Sequence, residues 1–415
     1  MVALRIFIHP MLGRTPVFLP AFSYVSSQRF LMQATCHRWS KSLQTHHSCH
    51  FRFQMSMMGF MTVTIIDETH YAAEMEHTVL PALEACMAEG WMEPATTDWD
   101  GKALPTLKKP GKLHYYCYDV RTFNSLHGND ASGMFRGAVV ISHGFTEFGR
   151  KYSEMVWYFL KCGYSVCVFE HRGHGHSTHD MANPSLVWID DWRRYVADFA
   201  TFSQTIGREY AAGLPMNLYC HSMGGGIGAA VLERYPSLFD KAVLSAPMIA
   251  PVVGMPTWIA RIVVGALCAV GFGKARVFGH TDFSEELNMD EYRGASEARI
   301  HWFHEQRKAD SSCQTNAATF QWANQAMALS RAILKPEMCG AIETPTLLFQ
   351  AGLDVWVLNE PQDAFIERVR EGGGTIEKVR YDRSLHEIFS MPNNVIEPYL
   401  EKIIDFLDEP TAAIH

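Results

Sequence analysis

The sequence predicts an α/β protein: a mostly parallel sheet covered by helices on both faces, with a helical cap inserted at about 248–340. Three observations carry this reading. Short apolar runs alternate with helical patterns over most of the chain, and such βαβ alternation builds parallel sheets buried on both sides. A glycine-rich helix opens directly behind one of those runs, at Tyr219-Cys220-His221-Ser222-Met223-Gly224-Gly225-Gly226. Between Pro247 and about Ala341 the alternation stops and only helix-like material is found.

Taken in order, residues 70–90 carry apolar residues at helical spacing and end at Gly90, which reads as a C-cap. Leu113–Asp119 is aromatic and β-prone and gives a first strand. Further strands are expected at 138–142, 165–169, 216–220, 241–245, 346–350 and 375–381. Helices are expected at 151–162, 186–210, 223–234, 361–371 and 394–408.

The chain has 415 residues, 47% hydrophobic and 19% charged, with a net charge of −8. That is enough apolar material for a large core and excludes disorder as the main state. The acidic balance gives nucleic-acid binding no support. No apolar run is long enough to span a bilayer. The ten cysteines lack paired spacing and read as reduced thiols. The expected location is the cytoplasm, with peripheral membrane association through the cap.

Residues 1–66 follow different rules. They contain no Asp or Glu but carry Arg5, Arg14, Arg29, Arg38, Lys41 and Arg52, which leaves 30 basic against 44 acidic residues, net −14, in the rest of the chain. This segment reads as a basic extension preceding a globular domain at 67–415. A secretory signal fits poorly, because His9, Pro10 and Arg14 interrupt the apolar stretch. A transit-like leader fits better. An over-extended start, with initiation among Met55, Met57, Met58 and Met61, is preferred. The cluster His46-His47-Ser48-Cys49-His50 is read as chance rather than as a metal site.

Ser222 stands at a strand–turn–helix junction of the kind that lifts a nucleophile clear of a sheet edge. Gly224 supplies the small residue such a turn needs, whereas Cys220 stands where glycine is usual. A phosphate loop would require a lysine before the Ser/Thr, and there is none. A serine hydroxyl needs a base and an orienting acid, and in this fold these follow it in the order acid, then His. Asp354 lies in the loop at the carboxyl end of the predicted strand 346–350, and His386 lies just past the last strand. Asp382 and Glu387 remain alternatives for the acid. The turn Ser142-His143-Gly144-Phe145 leaves another strand and could aim backbone N–H groups at an oxyanion, with Phe145 and Met223 as donors.

These motifs, with Glu170-His171-Arg172-Gly173-His174-Gly175-His176-Ser177 and Ser384-Leu385-His386-Glu387-Ile388, resemble the α/β-hydrolase family, specifically its branch of bacterial lysophospholipases and monoacylglycerol lipases. The resemblance runs from about Tyr71 to the C-terminus. It implies Ser222 as nucleophile, Asp354 as orienting acid, His386 as general base and Phe145 and Met223 as oxyanion donors, with no cofactor and no metal. The histidine run 171–179 is read as a loop-shaping turn rather than a metal site. His301 and His304 lack the HExxH arrangement of zinc proteases.

The expected function is hydrolysis of monoacyl lipid esters, lysophospholipids or monoacylglycerols, through an acyl-enzyme on Ser222. The stretch Ile259–Phe272, 14 residues with one charge, fits a buried or interfacial helix that walls the site and offers an apolar surface to an acyl chain. A serine aminopeptidase is the alternative, with Glu285, Glu286, Asp290 and Glu291 as candidates for holding a free amino group. A small-ester carboxylesterase is another. A non-catalytic binding protein on the same scaffold is the reading from a different class.

Overall fold

The computed structural model describes residues 63–128 and 132–410. The basic segment with its His46–His50 cluster and candidate start methionines therefore lies outside the described residues, apart from its last four positions. Of those, Val63 and Ile66 are buried against the core, and the Ile66 N–H donates to the Tyr158 hydroxyl at 3.0 Å.

Eight strands form the central sheet: β1 (Met87–Met92), β2 (Leu113–Tyr118), β3 (Gly137–Ser142), β4 (Tyr164–Phe169), β5 (Met216–His221), β6 (Lys241–Ser245), β7 (Thr346–Ala351) and β8 (Ile376–Tyr381). Their spatial order is β1-β2-β4-β3-β5-β6-β7-β8. β1 pairs antiparallel with β2, and β2 with β4, while every pairing from β4 through β8 is parallel.

Every residue of β3, β4, β5, β6 and β7 is buried. Two-residue alternation divides their side chains between the faces. Val140, Leu218, Leu244 and Leu348 enter the core on one side. Val139, Ile141, Tyr219, Val243 and Leu347 enter the core on the other. The outer strands β1 and β8 mix half-buried and exposed positions, with Ile376 the one fully buried residue between them.

β1 departs from the sequence expectation. The chain is helical from Glu68 only to Cys86, and the next six residues are strand. Gly90 is therefore not a helix cap. It pairs with Tyr115 across β1–β2, and a Cβ there would run into the Tyr115 ring. The expected helix 186–210 also shortens at its start. Leu186–Val187 instead pairs with Ala317–Ala318 as a two-stranded ribbon, and Asp191 caps the helix that begins at Trp192. That ribbon also qualifies the expectation of a purely helical insertion.

The insertion contributes three substantial helices, Thr257–Ala269, Glu297–Ala309 and Phe320–Ile333. Among the described residues no helix is long and apolar enough to cross a membrane. The eight described cysteines are free thiols; seven are buried, and Cys268, on the first cap helix, is half-buried.

Candidate active site

The strand β5 ends at His221 and the helix Met223–Arg234 begins two residues later, so Ser222 must absorb the whole reversal. It does so at φ 51° and ψ −117°, a conformation costly for any residue with a Cβ. Surrounding packing holds it there. The Ser222 N–H donates to Ser245 O at 3.1 Å, and Ser222 O accepts from Met248 at 2.8 Å and Gly226 at 3.1 Å.

The glycines behind Ser222 permit close approach. A Cβ on Gly224 would collide with the carbonyl of Ser142, one on Gly225 would lie 2.6 Å from Pro247 Cβ, and one on Gly226 would lie 2.6 Å from Met248 O. Gly228 accounts for the unusual Cys220: its hydrogen leaves the room that the Cys220 sulfur fills, since a Cβ would sit 2.5 Å from that Sγ.

Asp354 and His386 come from loops at the carboxyl ends of β7 and β8, where open α/β sheets gather their functional groups. Gly352 lets these loops meet: its N–H donates to Tyr381 O at 2.9 Å, and Leu353 N–H to Ser384 O at 3.0 Å. His386 Nε2 lies 2.7 Å from Ser222 Oγ, and His386 Nδ1 lies 2.7 Å from Asp354 Oδ2. The other Asp354 oxygen accepts the N–H groups of Trp356 at 2.9 Å and Val357 at 3.0 Å, so its own turn aims the carboxylate. Asp382, one of the alternatives, instead pairs with Arg380 on the surface.

The oxyanion loop leaves β3 through Gly144 and Phe145. Met223 is the first helical residue, so its N–H has no acceptor within the helix. The Phe145 ring lies 4.0 Å from that of Trp322 of the cap. Beneath the loop is a buried charge network that the sequence reading missed. Glu147 Oε2 accepts the Gly144 N–H at 2.5 Å and the Tyr152 hydroxyl at 2.6 Å. Lys151 Nζ stands 2.7 Å from both Glu147 Oε1 and Glu387 Oε1, tying this loop to the residue after His386. Burial alone would raise the Glu147 carboxyl, but the Lys151 ammonium and His221 hold it well below its ordinary value. Burial pushes His221 down to about 4, against the pull of Glu147, so at neutral pH an uncharged ring lies 4.8 Å from that of His386. The spacing Glu147, Lys151 was the one available signal, an i,i+4 acid–base pair.

The histidine run does not converge as a group. His171 Nε2 meets Ser142 Oγ at 2.7 Å, His174 Nδ1 approaches Arg172 O at 3.3 Å, and His179 Nε2 meets Gly175 O at 2.8 Å. His143 donates from Nδ1 to Gly144 O at 2.7 Å and accepts the His171 N–H on Nε2 at 3.0 Å, which fixes it as a neutral imidazole. Burial lowers His143, His171 and His174 alike. His176 turns away, toward Glu170 and Asp310.

The cap differs from expectation in which helix faces the site. Apolar side chains beside Met223 come from Trp192, Tyr195 and Met248 of the core and from Trp322, Ala326 and Leu329 of Phe320–Ile333. The helix Thr257–Ala269 packs against Phe320–Ile333 but buries only Ala260 and Val264. Glu285, Glu286, Asp290 and Glu291 are all exposed, with Asp290 paired to Arg293 and Glu291 accepting from Asn288.

This strand order, with a serine at the elbow behind β5, defines the α/β-hydrolase class. A family model described as serine aminopeptidase, S33, matches residues 133–393, and the chain belongs to that family. It is 28% identical over 284 residues to lysophospholipase L2 of Escherichia coli (strain K12), a match covering 65% of this chain and 80% of that protein. It is 35% identical over 114 residues to the monoacylglycerol lipase of Mycolicibacterium smegmatis, covering 28% of this chain and 39% of the relative. Among solved structures, a soluble variant of monoglyceride lipase from Saccharomyces cerevisiae, in complex with a substrate analog, superposes with a TM-score of 0.56 at 18% identity, covering 78% of this chain and 97% of that one. A thermostable carboxyl esterase from Bacillus coagulans gives 0.57 at 16% identity, covering 78% and 98%. At those identities the likeness is one of fold.

Proposed function

We propose that this protein is a serine hydrolase of monoacyl lipid esters, lysophospholipids or monoacylglycerols, and that Ser222, His386 and Asp354 are its catalytic triad. The observation that carries the reading is the continuous relay Ser222 Oγ–His386 Nε2 and His386 Nδ1–Asp354 Oδ2, both 2.7 Å. The class, an ester hydrolase, is supported by the lysophospholipase and monoacylglycerol lipase relatives.

In the first half-reaction Ser222 Oγ attacks the ester carbonyl while His386 Nε2 takes its proton. Asp354 holds the ring in the tautomer with hydrogen on Nδ1 and stabilises the imidazolium. The N–H groups of Phe145 and Met223 receive the oxyanion, each typically worth about 3 kcal/mol in the transition state. Collapse breaks the bond to the alcohol, which leaves with the proton from His386. Water, deprotonated by the same His386, then attacks the acyl-serine and releases the fatty acid.

The apolar side chains around Trp322 and Leu329 would take the acyl chain, gaining about 0.8 kcal/mol per buried CH₂. In the cap, Trp258, Ile262, Val270 and Phe272 expose 64%, 64%, 69% and 57% of their surface. An apolar patch of that kind fits contact with a lipid surface.

Fluorophosphonate labelling with a panel of monoacyl lipids, short esters and aminoacyl amides tests the reading. Labelling that requires Ser222, with turnover highest on a monoacyl lipid, is expected. Preference for an aminoacyl amide would move the assignment to the peptidase reading that the family description favours. Preference for short esters would make it a carboxylesterase, and absence of labelling would leave a binding protein.

A further inference from the structure

We infer that His114, Glu170 and His176 form a binding site for a divalent transition-metal ion of the zinc type, separate from the serine relay. His114 on β2 and Glu170, just past β4, are fully buried, while His176 opens to solvent. Their ligand atoms lie within 4.8 Å of one another. His114 Nδ1 is 2.9 Å and His176 Nδ1 3.6 Å from the same Glu170 Oε2. These separations bracket the roughly 3.4 Å between donors that each sit about 2.1 Å from a tetrahedral zinc. The Tyr116 hydroxyl, 3.2 Å from His176 Nδ1, is a fourth polar atom at the same point, and the open side at His176 admits water.

The far side of each ring supplies the second observation. His114 Nε2 lies 2.9 Å from Glu89 Oε1, and His176 Nε2 lies 3.0 Å from Asp310 Oδ2. Each Nε2 must therefore donate to a carboxylate, the arrangement that orients metal-binding imidazoles and raises their basicity. A neutral ring that donates from Nε2 carries a lone pair on Nδ1. On His114 that lone pair would face the Glu170 carboxylate at 2.9 Å, which is repulsive unless a positive charge lies between. Three carboxylates surround two imidazoles here, and the cluster needs cationic charge at its centre.

The molecule contains a control for this argument. The other His/Glu group, Glu147–His221–Glu387, has the Lys151 ammonium 2.7 Å from both carboxylates. At His114–Glu170–His176 the ion pairs of Glu170 among the described residues are with the two histidines, and Arg150 lies 5.8 Å from the centroid of the Tyr116 ring and 3.5 Å from Glu84. Its place at the centre is left to protons on both rings or to one metal ion. Two nitrogens and a carboxylate oxygen are a donor set zinc takes readily. The histidine run thus contributes one ligand rather than four, and its partner, His114, lies in a strand where sequence spacing gave no hint. This departs from the absence of metal expected from the sequence. Because Asp310 follows the cap helix Glu297–Ala309, the ion would also brace the cap against the sheet edge.

The test is calorimetric zinc titration of the full chain after exhaustive chelation, beside His176→Ala and Asp310→Asn. The wild type is expected to bind one more zinc equivalent than H176A, and zinc to raise its thermal midpoint but not that of H176A. D310N should bind that equivalent about 10- to 100-fold more weakly. Equal zinc stoichiometry in wild type and H176A, or unchanged affinity in D310N, would overturn the proposal and leave protons as the occupants. None of these readouts depends on ester hydrolysis.

Discussion

Two helices of similar length and similar apolarity meet opposite fates in this molecule. Met223–Arg234, behind the elbow, buries eleven of its twelve residues, whereas Thr257–Ala269 in the cap buries only two of thirteen. Length does not separate them, but glycine does: four in the first and one in the second. The first is glycine-rich on the faces that meet β3, β5 and the loop after β6, so backbone can approach backbone and the helix disappears into the core. The second carries bulky residues all round, and only one stripe finds a partner in Phe320–Ile333. Apolar helices in a core are made by what they lack, and an unpartnered apolar helix is available for something outside the chain.

The largest effect expected on the buried side is functional. Ser222→Ala and His386→Ala should each lower kcat by several orders of magnitude, and the double variant should be no worse than either single one, because the two act as a unit. Additive losses in steady-state turnover would break the assigned relay.

Next in size is Gly224→Ala. Its methyl must displace the Ser142 carbonyl, and backbone cannot give way as a side chain can. A loss of at least the about 1–3 kcal/mol of an ordinary overpacking variant is expected from urea unfolding. On the exposed side the reverse holds. Trp258→Ser with Ile262→Ser should change stability by no more than about 0.5 kcal/mol, yet reduce partitioning onto phosphatidylcholine vesicles by about tenfold or more, since each such side chain gains about 1.5–3 kcal/mol on burial. Unchanged flotation of the double variant would separate the cap from membranes.

The smallest effect is a pH slope. Burial raises the Glu233 carboxyl from 4.5 to about 8, outweighing Arg234 at 2.5 Å. The folded state thus holds a proton that the unfolded state releases. The stability this contributes is whole below about pH 4.5 and is lost as the pH rises through about 8. Glu233→Gln cannot ionise, so its denaturation free energy should fall less across that window. A parallel profile for variant and wild type would place the charge elsewhere.

Much of the fold was readable because the interior strands are continuous apolar runs, which need no pairing information to be seen. β1 was not. It is an edge strand with no fully buried residue, and its Gly90 serves a neighbouring tyrosine rather than a helix end. Ser222, Asp354 and His386 could be named because chain order and position at strand ends constrain them, and the structure brings all three together. The network joining Glu147, Lys151 and Glu387 escaped notice because Glu387, weighed only as an alternative acid, is remote from the other two in sequence and only folding makes them neighbours. The role of Thr257–Ala269 was half legible: its apolarity was plain, but which cap helix faces Ser222 depends on packing.

The distribution of thiols has a practical consequence. Burial pushes Cys86, Cys162, Cys313 and Cys339 up to about 12, so these groups stay protonated and slow toward alkylating reagents at neutral pH. Cys268 stands apart, half-buried on the helix whose apolar side is open. With Cys36 and Cys49 replaced by serine, a single environment-sensitive maleimide dye would settle on that helix. Its emission would then distinguish a cap facing water from one resting on a lipid film, in the same cuvette as the reaction.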